Sequence, residues 1–142
     1  MFKKFSFWIW GAIITQSITA AFHTLSLFIT PEPTNETEKQ LMDLTRNYKP
    51  DMGMGFHPSF KDFFTAFSIS FTLLFIFGAL INVYFKRKNL QAGLWKGLLL
   101  IETIIFGAVF IAMLAFTFIM PVICTGLIFL FVFGAYLTVN NK

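Results

Sequence analysis

Residues 97–139, GLLLIETIIFGAVFIAMLAFTFIMPVICTGLIFLFVFGAYLTV, are apolar almost without interruption over 43 positions. As a single helix they would reach about 65 Å at roughly 1.5 Å per residue, twice the ~30 Å hydrocarbon thickness of a bilayer. The segment must turn back. Pro121 is the one strong helix breaker in it, so the turn is expected near Met120-Pro121, giving a close antiparallel hairpin of two spans, about 94–118 and 121–139. Two further stretches of span length, about 5–30 and 62–85, precede it, and the polar segment 31–61 separates them. With 56% hydrophobic and 13% charged residues, the chain is too apolar for a soluble surface. The expectation is an all-α, integral membrane four-helix bundle in a single four-span domain over 1–142. No room remains for a soluble catalytic domain.

The placement of charge sets the expected orientation. Lys3 and Lys4 precede the first span, Lys86, Arg87, Lys88 and Lys96 flank the second connection, and Lys142 ends the chain. These all fall on one side. The first loop, extended to Asp62, carries Lys39, Arg46, Lys49 and Lys61 against six acidic residues. The positive-inside rule therefore sends the loop outward and leaves both termini cytoplasmic. Trp8, Trp10, Tyr84, Trp95 and Tyr136 sit near the inner ends, where an interfacial aromatic belt belongs. The net charge of +4 thus reads as orientation, and no basic surface with stacking aromatics is left for nucleic acid. Residues 1–21 begin like a signal peptide, but Gln16 and Ser17 interrupt its apolar core and apolar character runs on to Ile29, so an uncleaved span is expected.

Within the outer loop, Leu41, Leu44 and Tyr48 recur at spacings of three and four, and Asn35 with Glu38 forms a capping pair. A short amphipathic helix follows from that pattern. Asn35-Glu36-Thr37 is also a glycosylation sequon, relevant only in a eukaryotic secretory setting. Pro50 and the glycines of PDMGMG then mark a turn. Ser59 and Asp62 form a capping box that opens the second span, while Pro58 blocks its extension backwards.

Two polar stripes lie inside the membrane. Gln16, Thr19, His23 and Ser26 share one face of the first span, and Thr65, Ser68, Thr72, Ala79 and Asn82 share one of the second. His23 and Ser68 count to similar depths. Glu102 lies about 12 Å into the third span, where it must be protonated, paired with Lys96 or hydrogen-bonded to polar partners. Gln16, Thr19, His23, His57, Ser68, Thr72 and Glu102 are accordingly the candidate ligand-binding residues. They fit an amphipathic molecule, a lipid or a quinone, bound near the outer face with its polar head at His23. The competing reading is a structural or accessory subunit of a membrane complex, whether with a partner protein or as a homo-oligomer. In it the stripes serve as packing glue, and Gly107, Ala108, Ala112 and Ala115 present a small-residue strip to a neighbouring helix.

Catalysis and cofactors find little support. No GxSxG motif occurs, and a Ser–His pair requires contacts the pattern does not specify, so binding is favoured over enzymatic activity. Met52, Met54, His57, Met120 and Cys124 are soft donors near the outer face. Without an HxxxH or CxxC pair they are weak metal candidates, and no metal or other cofactor is assigned. His23 and His57 fall at different depths, against bis-histidine haem ligation. As the only cysteine, Cys124 excludes an internal disulfide.

The stretch YKPDMGMGFHPSFKDFFTAFSISFTLLFIFGALIN resembles a group of small bacterial integral membrane proteins of uncharacterised activity, with four predicted helices. The resemblance rests on Asp51, Met52 and Gly53, then on His57, Pro58 and Ser59, and then on Asp62, Gly78 and Asn82 in the second span. It covers about 35 residues of this chain. It implies a bacterial inner membrane and a four-helix fold, and it carries no activity.

Overall fold

The structure, a computed structural model, describes residues 4–29 and 31–141. Lys3, Thr30 and Lys142, which the sequence placed at the termini and at the end of the first span, lie outside the described residues. The chain is all-α. Helices α1 (Phe5–Ser26), α2 (Glu36–Asn47), α3 (Phe60–Arg87), α4 (Ala92–Phe116) and α5 (Ile119–Thr138) follow in order, with a 3₁₀ turn at Val139–Asn141. α1, α3, α4 and α5 are long and apolar enough to cross a bilayer, which makes this a multi-pass membrane protein.

The helix ends explain where the boundaries differ from the sequence reading. α1 closes at Ser26: the Leu27 and Phe28 amides donate to Thr24 and Leu25 in i→i+3 bonds of 3.1 Å, tightening the last turn ahead of Pro31 and Pro33. The hairpin turn lies at Thr117-Phe118, upstream of Met120-Pro121. Pro121 is the third residue of α5, in the first turn, where a missing N–H removes no helical bond. Between α3 and α4, Asn89 takes a left-handed conformation (φ 48°), the usual device for ending a helix without glycine.

Both expected caps form. Ser59 Oγ accepts from the Asp62 amide at 3.2 Å, while the Asp62 carboxylate accepts from the Ser59 amide (2.9 Å) and hydroxyl (2.7 Å). At α2, Asn35 Oδ1 accepts from the Glu38 amide at 2.9 Å. The Glu38 carboxylate reaches one residue further back than a standard capping box, accepting from the Thr34 amide and hydroxyl, both at 2.7 Å.

The chain divides into two compact units, one from the described parts of 1–20 and 74–142, the other from those of 21–73. In the first unit, helix contacts are made where glycines admit rings. Phe131 of α5 lies on Gly11 of α1, and Trp8 of α1 lies on Gly134 of α5. α4 and α5 repeat the reciprocity: Phe129 packs on Gly107 and Phe110 on Gly126. At one end, Trp95 is fully buried between the edges of Phe5 (5.1 Å between centroids) and Phe85 (5.8 Å). Trp95 is thus a core residue. Trp10 and Tyr84 are exposed, as a belt requires, and Lys86 lies 5.5 Å from the Trp10 ring and donates to Ser6.

The second unit holds the end of α1, the loop, α2 and the first part of α3. α2 buries none of its residues, and the apolar side chains of Leu41, Leu44 and Tyr48 are open, with Tyr48 stacked on Phe60 at 6.3 Å.

Two outcomes follow. In Gly134→Ala the new Cβ meets the Trp8 ring, so the variant should lose about 1–3 kcal/mol of stability. Gly93→Ala, with nothing within 4 Å, should be neutral or stabilising by up to ~1 kcal/mol, and thermal unfolding in detergent compares the two. At α2, the Thr34 backbone N–H and then its hydroxyl hold the Glu38 carboxyl below the usual carboxylate range. A depressed folded value stabilises above the unfolded value near pH 4.3, and the contribution fades as pH falls through the folded value. The protection of the Thr34 amide, its exchange rate measured against the intrinsic rate at each pH, should therefore fall on acidification through that window, and in Glu38→Gln it should be low already at neutral pH.

Candidate functional site

Most hydroxyls in the spans are satisfied within their own helix. Thr15 donates to the Gly11 carbonyl (2.8 Å), Thr65 to Lys61 (2.8 Å), Thr103 to Leu99 (2.6 Å), Thr125 to Pro121 (2.7 Å) and Thr138 to Gly134 (2.7 Å). Such groups need no cross-helix partner. A carboxamide, with two donors and an acceptor, cannot be satisfied this way, which makes Gln16 and Asn82 the informative polar residues.

Both amides, with Glu102, lie in the first unit. Asn82 Nδ2 donates to both carboxylate oxygens of Glu102, at 3.1 and 3.0 Å, with Asn82 fully buried and Glu102 nearly so. Lys96 is exposed, and six positions along the helix it points away from Glu102, so the partner is Asn82. No cation lies within ion-pair distance of Glu102 among the described residues. Gln16 is fully buried against Gly78, where a Cβ would stand 2.8 Å from its Nε2, and the Phe106 ring edge approaches the same point. Gly78 precedes Asn82 by one turn of α3, and Phe106 follows Glu102 by one turn of α4. Because α3 and α4 are antiparallel, these steps run the same way, so Gln16 forms the layer next to the Asn82–Glu102 pair. Neither polar atom of Gln16, nor Asn82 Oδ1, has a hydrogen-bond partner among the described residues. Thr19, also in this unit, is buried.

His23, His57, Ser68 and Thr72 belong to the second unit. His23 is half-buried and its ring stacks on Phe71 at 6.0 Å. Thr72 is buried with its hydroxyl unpartnered among the described residues. Ser68 lines an open groove of about 340 Å3 that also takes in Ser26, Thr65, Phe64 and two cations, Arg46 and Lys61. An adjoining apolar groove of about 480 Å3, bounded by Leu44, Tyr48 and Phe60, shares Leu41, Thr45 and Phe64 with it.

His57 is exposed in the loop. The preceding segment is a turn: Gly53 donates to Asp51 Oδ1 at 2.8 Å and Phe56 donates to the Gly53 carbonyl at 3.1 Å. Between them, Met54 and Gly55 both have positive φ, the type I′ pattern. Met52 and Met54 point to solvent, and Cys124 is half-buried in α5. Among the described residues, no three of His, Cys, Asp or Glu come together to hold a metal.

Asn82 as the partner of Glu102, and Arg46 with Lys61 beside Ser68, were not among the site residues chosen from sequence. Asn82 did end the second polar stripe, and that was the signal available. In comparisons with known proteins, the chain matches no family model, no curated protein and no solved structure.

The buried pair should behave as a unit. Asn82→Leu strands the Glu102 carboxyl and should destabilise by about 1–3 kcal/mol, whereas Asn82→Leu with Glu102→Leu should recover most of that loss. Thermal unfolding of the two singles and the double closes the cycle.

Proposed function

We propose that this chain is a bacterial inner-membrane protein, with cytoplasmic termini and the 31–61 loop outside, that binds an anionic amphipathic lipid at its outer interface. The observation that carries the reading is the amphipathic groove of the second unit. Arg46 and Lys61, neither in an ion pair among the described residues, share it with the hydroxyls of Ser26, Thr65 and Ser68. The contiguous apolar groove beneath α2 suits an acyl chain. Two cations favour a phospholipid headgroup over a neutral quinone, each basic group contributing about 1 kcal/mol towards an anionic lipid surface. On this reading α2 leaves its apolar side open because lipid completes it.

A second reading is supported by α4. Gly107 is taken by Phe129, but Ala108, Ala112 and Ala115 are exposed, a strip on which a helix of a partner protein or of a second copy can pack closely. That is the accessory-subunit reading.

Native mass spectrometry from a mild detergent, with phosphatidylglycerol or phosphatidylcholine added, separates the two. Retained phosphatidylglycerol, weakened roughly 10–30-fold in the Arg46→Gln, Lys61→Gln double variant, supports lipid binding. Equal retention of both lipids, unaffected by the substitutions, sinks it. A second polypeptide or copy lost on Ala112→Leu supports the accessory reading instead.

A further inference from the structure

The Gln16–Asn82–Glu102 layers bury three polar side chains in the first unit. Among the described residues Glu102 has no cation within ion-pair distance, and the Asn82 amide is its hydrogen-bond partner. Gln16 and Asn82 are both fully buried, yet Gln16 Oε1 and Asn82 Oδ1 are unpartnered among the described residues. A buried unmatched carbonyl costs about 1–3 kcal/mol, and hydrocarbon supplies no water to relieve it. Along α3 and α4 these layers fall between two groups of rings, Phe85 with Trp95 and Phe5 on one side and the stacked pair Phe75 and Phe106 on the other.

We propose that these layers form a binding site for a monovalent metal cation of sodium size. The donors are hard oxygens: the Glu102 carboxylate, Asn82 Oδ1 after a half-turn of its amide, and Gln16 Oε1. A single carboxylate balances a single positive charge. The Gln16 layer is about one helical turn, ~5 Å, from the Asn82–Glu102 pair, and oxygen ligands on opposite sides of a hard cation are separated by about the same distance. Turning the Asn82 amide releases Glu102 from its hydrogen bond, so cation binding exchanges one partner of the carboxylate for another. Gly78 is what allows the Gln16 side chain to reach this position, since a Cβ there would displace its amide nitrogen. The inference is independent of the lipid groove, which belongs to the other unit.

The test is thermal unfolding of the full chain in lipid nanodiscs, with NaCl exchanged stepwise for N-methyl-D-glucamine chloride at constant ionic strength. A ligand that binds only the folded state raises the midpoint saturably, here by roughly 5–10 °C at about a hundredfold excess over its dissociation constant. Glu102→Gln, which keeps the shape and hydrogen-bonding capacity but removes the charge, should fold and lose the sodium response. Gln16→Leu, which removes one donor, should need at least about tenfold more sodium for half-saturation. Superimposable wild-type curves in the two salts overturn the proposal. So does a rise that potassium and choline reproduce equally, which is a general salt effect. A midpoint that follows pH while ignoring sodium shows a site for protons alone and also overturns it. Should Glu102→Gln fail to fold, the Gln16→Leu shift decides: an unchanged half-saturation removes the assigned ligand set.

Discussion

Close approach between helices is the constraint on which the four-span unit depends. In a bilayer no hydrophobic force drives helix onto helix, because lipid tails are as apolar as leucine, so association rests on packing and hydrogen bonds. This chain obtains packing by opposing glycine to an aromatic ring in both directions at each of two interfaces, α1 with α5 and α4 with α5. Trp8 enters over Gly134 as Phe131 enters over Gly11, and Phe110 with Gly126 mirrors Phe129 with Gly107. Each ring lies where a Cβ would crowd it, most severely at Gly11 and Gly134. The abundance of phenylalanine, 21 in 142 residues, is therefore not only lipid-facing bulk. A subset of the rings forms the interlocking elements of the fold.

The same device positions the polar core. Gly78 admits Gln16 where the other glycines admit rings, and one turn further along α3 Asn82 meets Glu102. Had residue 78 carried a side chain, the amide of Gln16 would be displaced from the layer next to the carboxylate. Packing and polarity are thus linked at one position: the smallest residue allows the costliest group to be buried. Polar side chains buried this deeply are expensive to leave unmatched, and they fix helix register because few arrangements satisfy them at all.

How much of this was legible in the sequence follows from range. Features set within a few residues were readable: four apolar spans, the Ser59–Asp62 box, the Asn35 cap and the amphipathic helix after it. The turn of the long hairpin was read at Pro121, although it lies at Thr117-Phe118, because a proline marks the start of a helix as readily as its end. Pairings across helices were not readable. The stripe from Gln16 to Ser26 is a property of α1 alone, and what each member meets depends on where three other helices place glycine, ring or amide. Glu102 stood out as an intramembrane carboxyl, whereas Asn82 was read only as one more member of a stripe of hydroxyl residues.

What sets Asn82 apart from those hydroxyl residues is chemical. A serine or threonine in a span satisfies its hydroxyl on the carbonyl one turn back, as Thr15, Thr65, Thr103, Thr125 and Thr138 do, and is then nearly silent about its neighbours. A carboxamide or carboxyl cannot close on its own backbone in that manner, so its burial must be explained by another helix or by a ligand. Read with that filter, the spans reduce to a short set: Gln16, Asn82 and Glu102 inside the four-span unit, and His23 stacked on Phe71 in the other. Arg46 and Lys61 belong to a different class, because they sit at the rim where water still solvates them, and their value lies in the charge they present beside an apolar groove. The two locations place different demands on what binds. On the proposed readings, a large amphipath would be held at the rim by many weak contacts, whereas the buried layer would take only something small enough to be surrounded by three side chains.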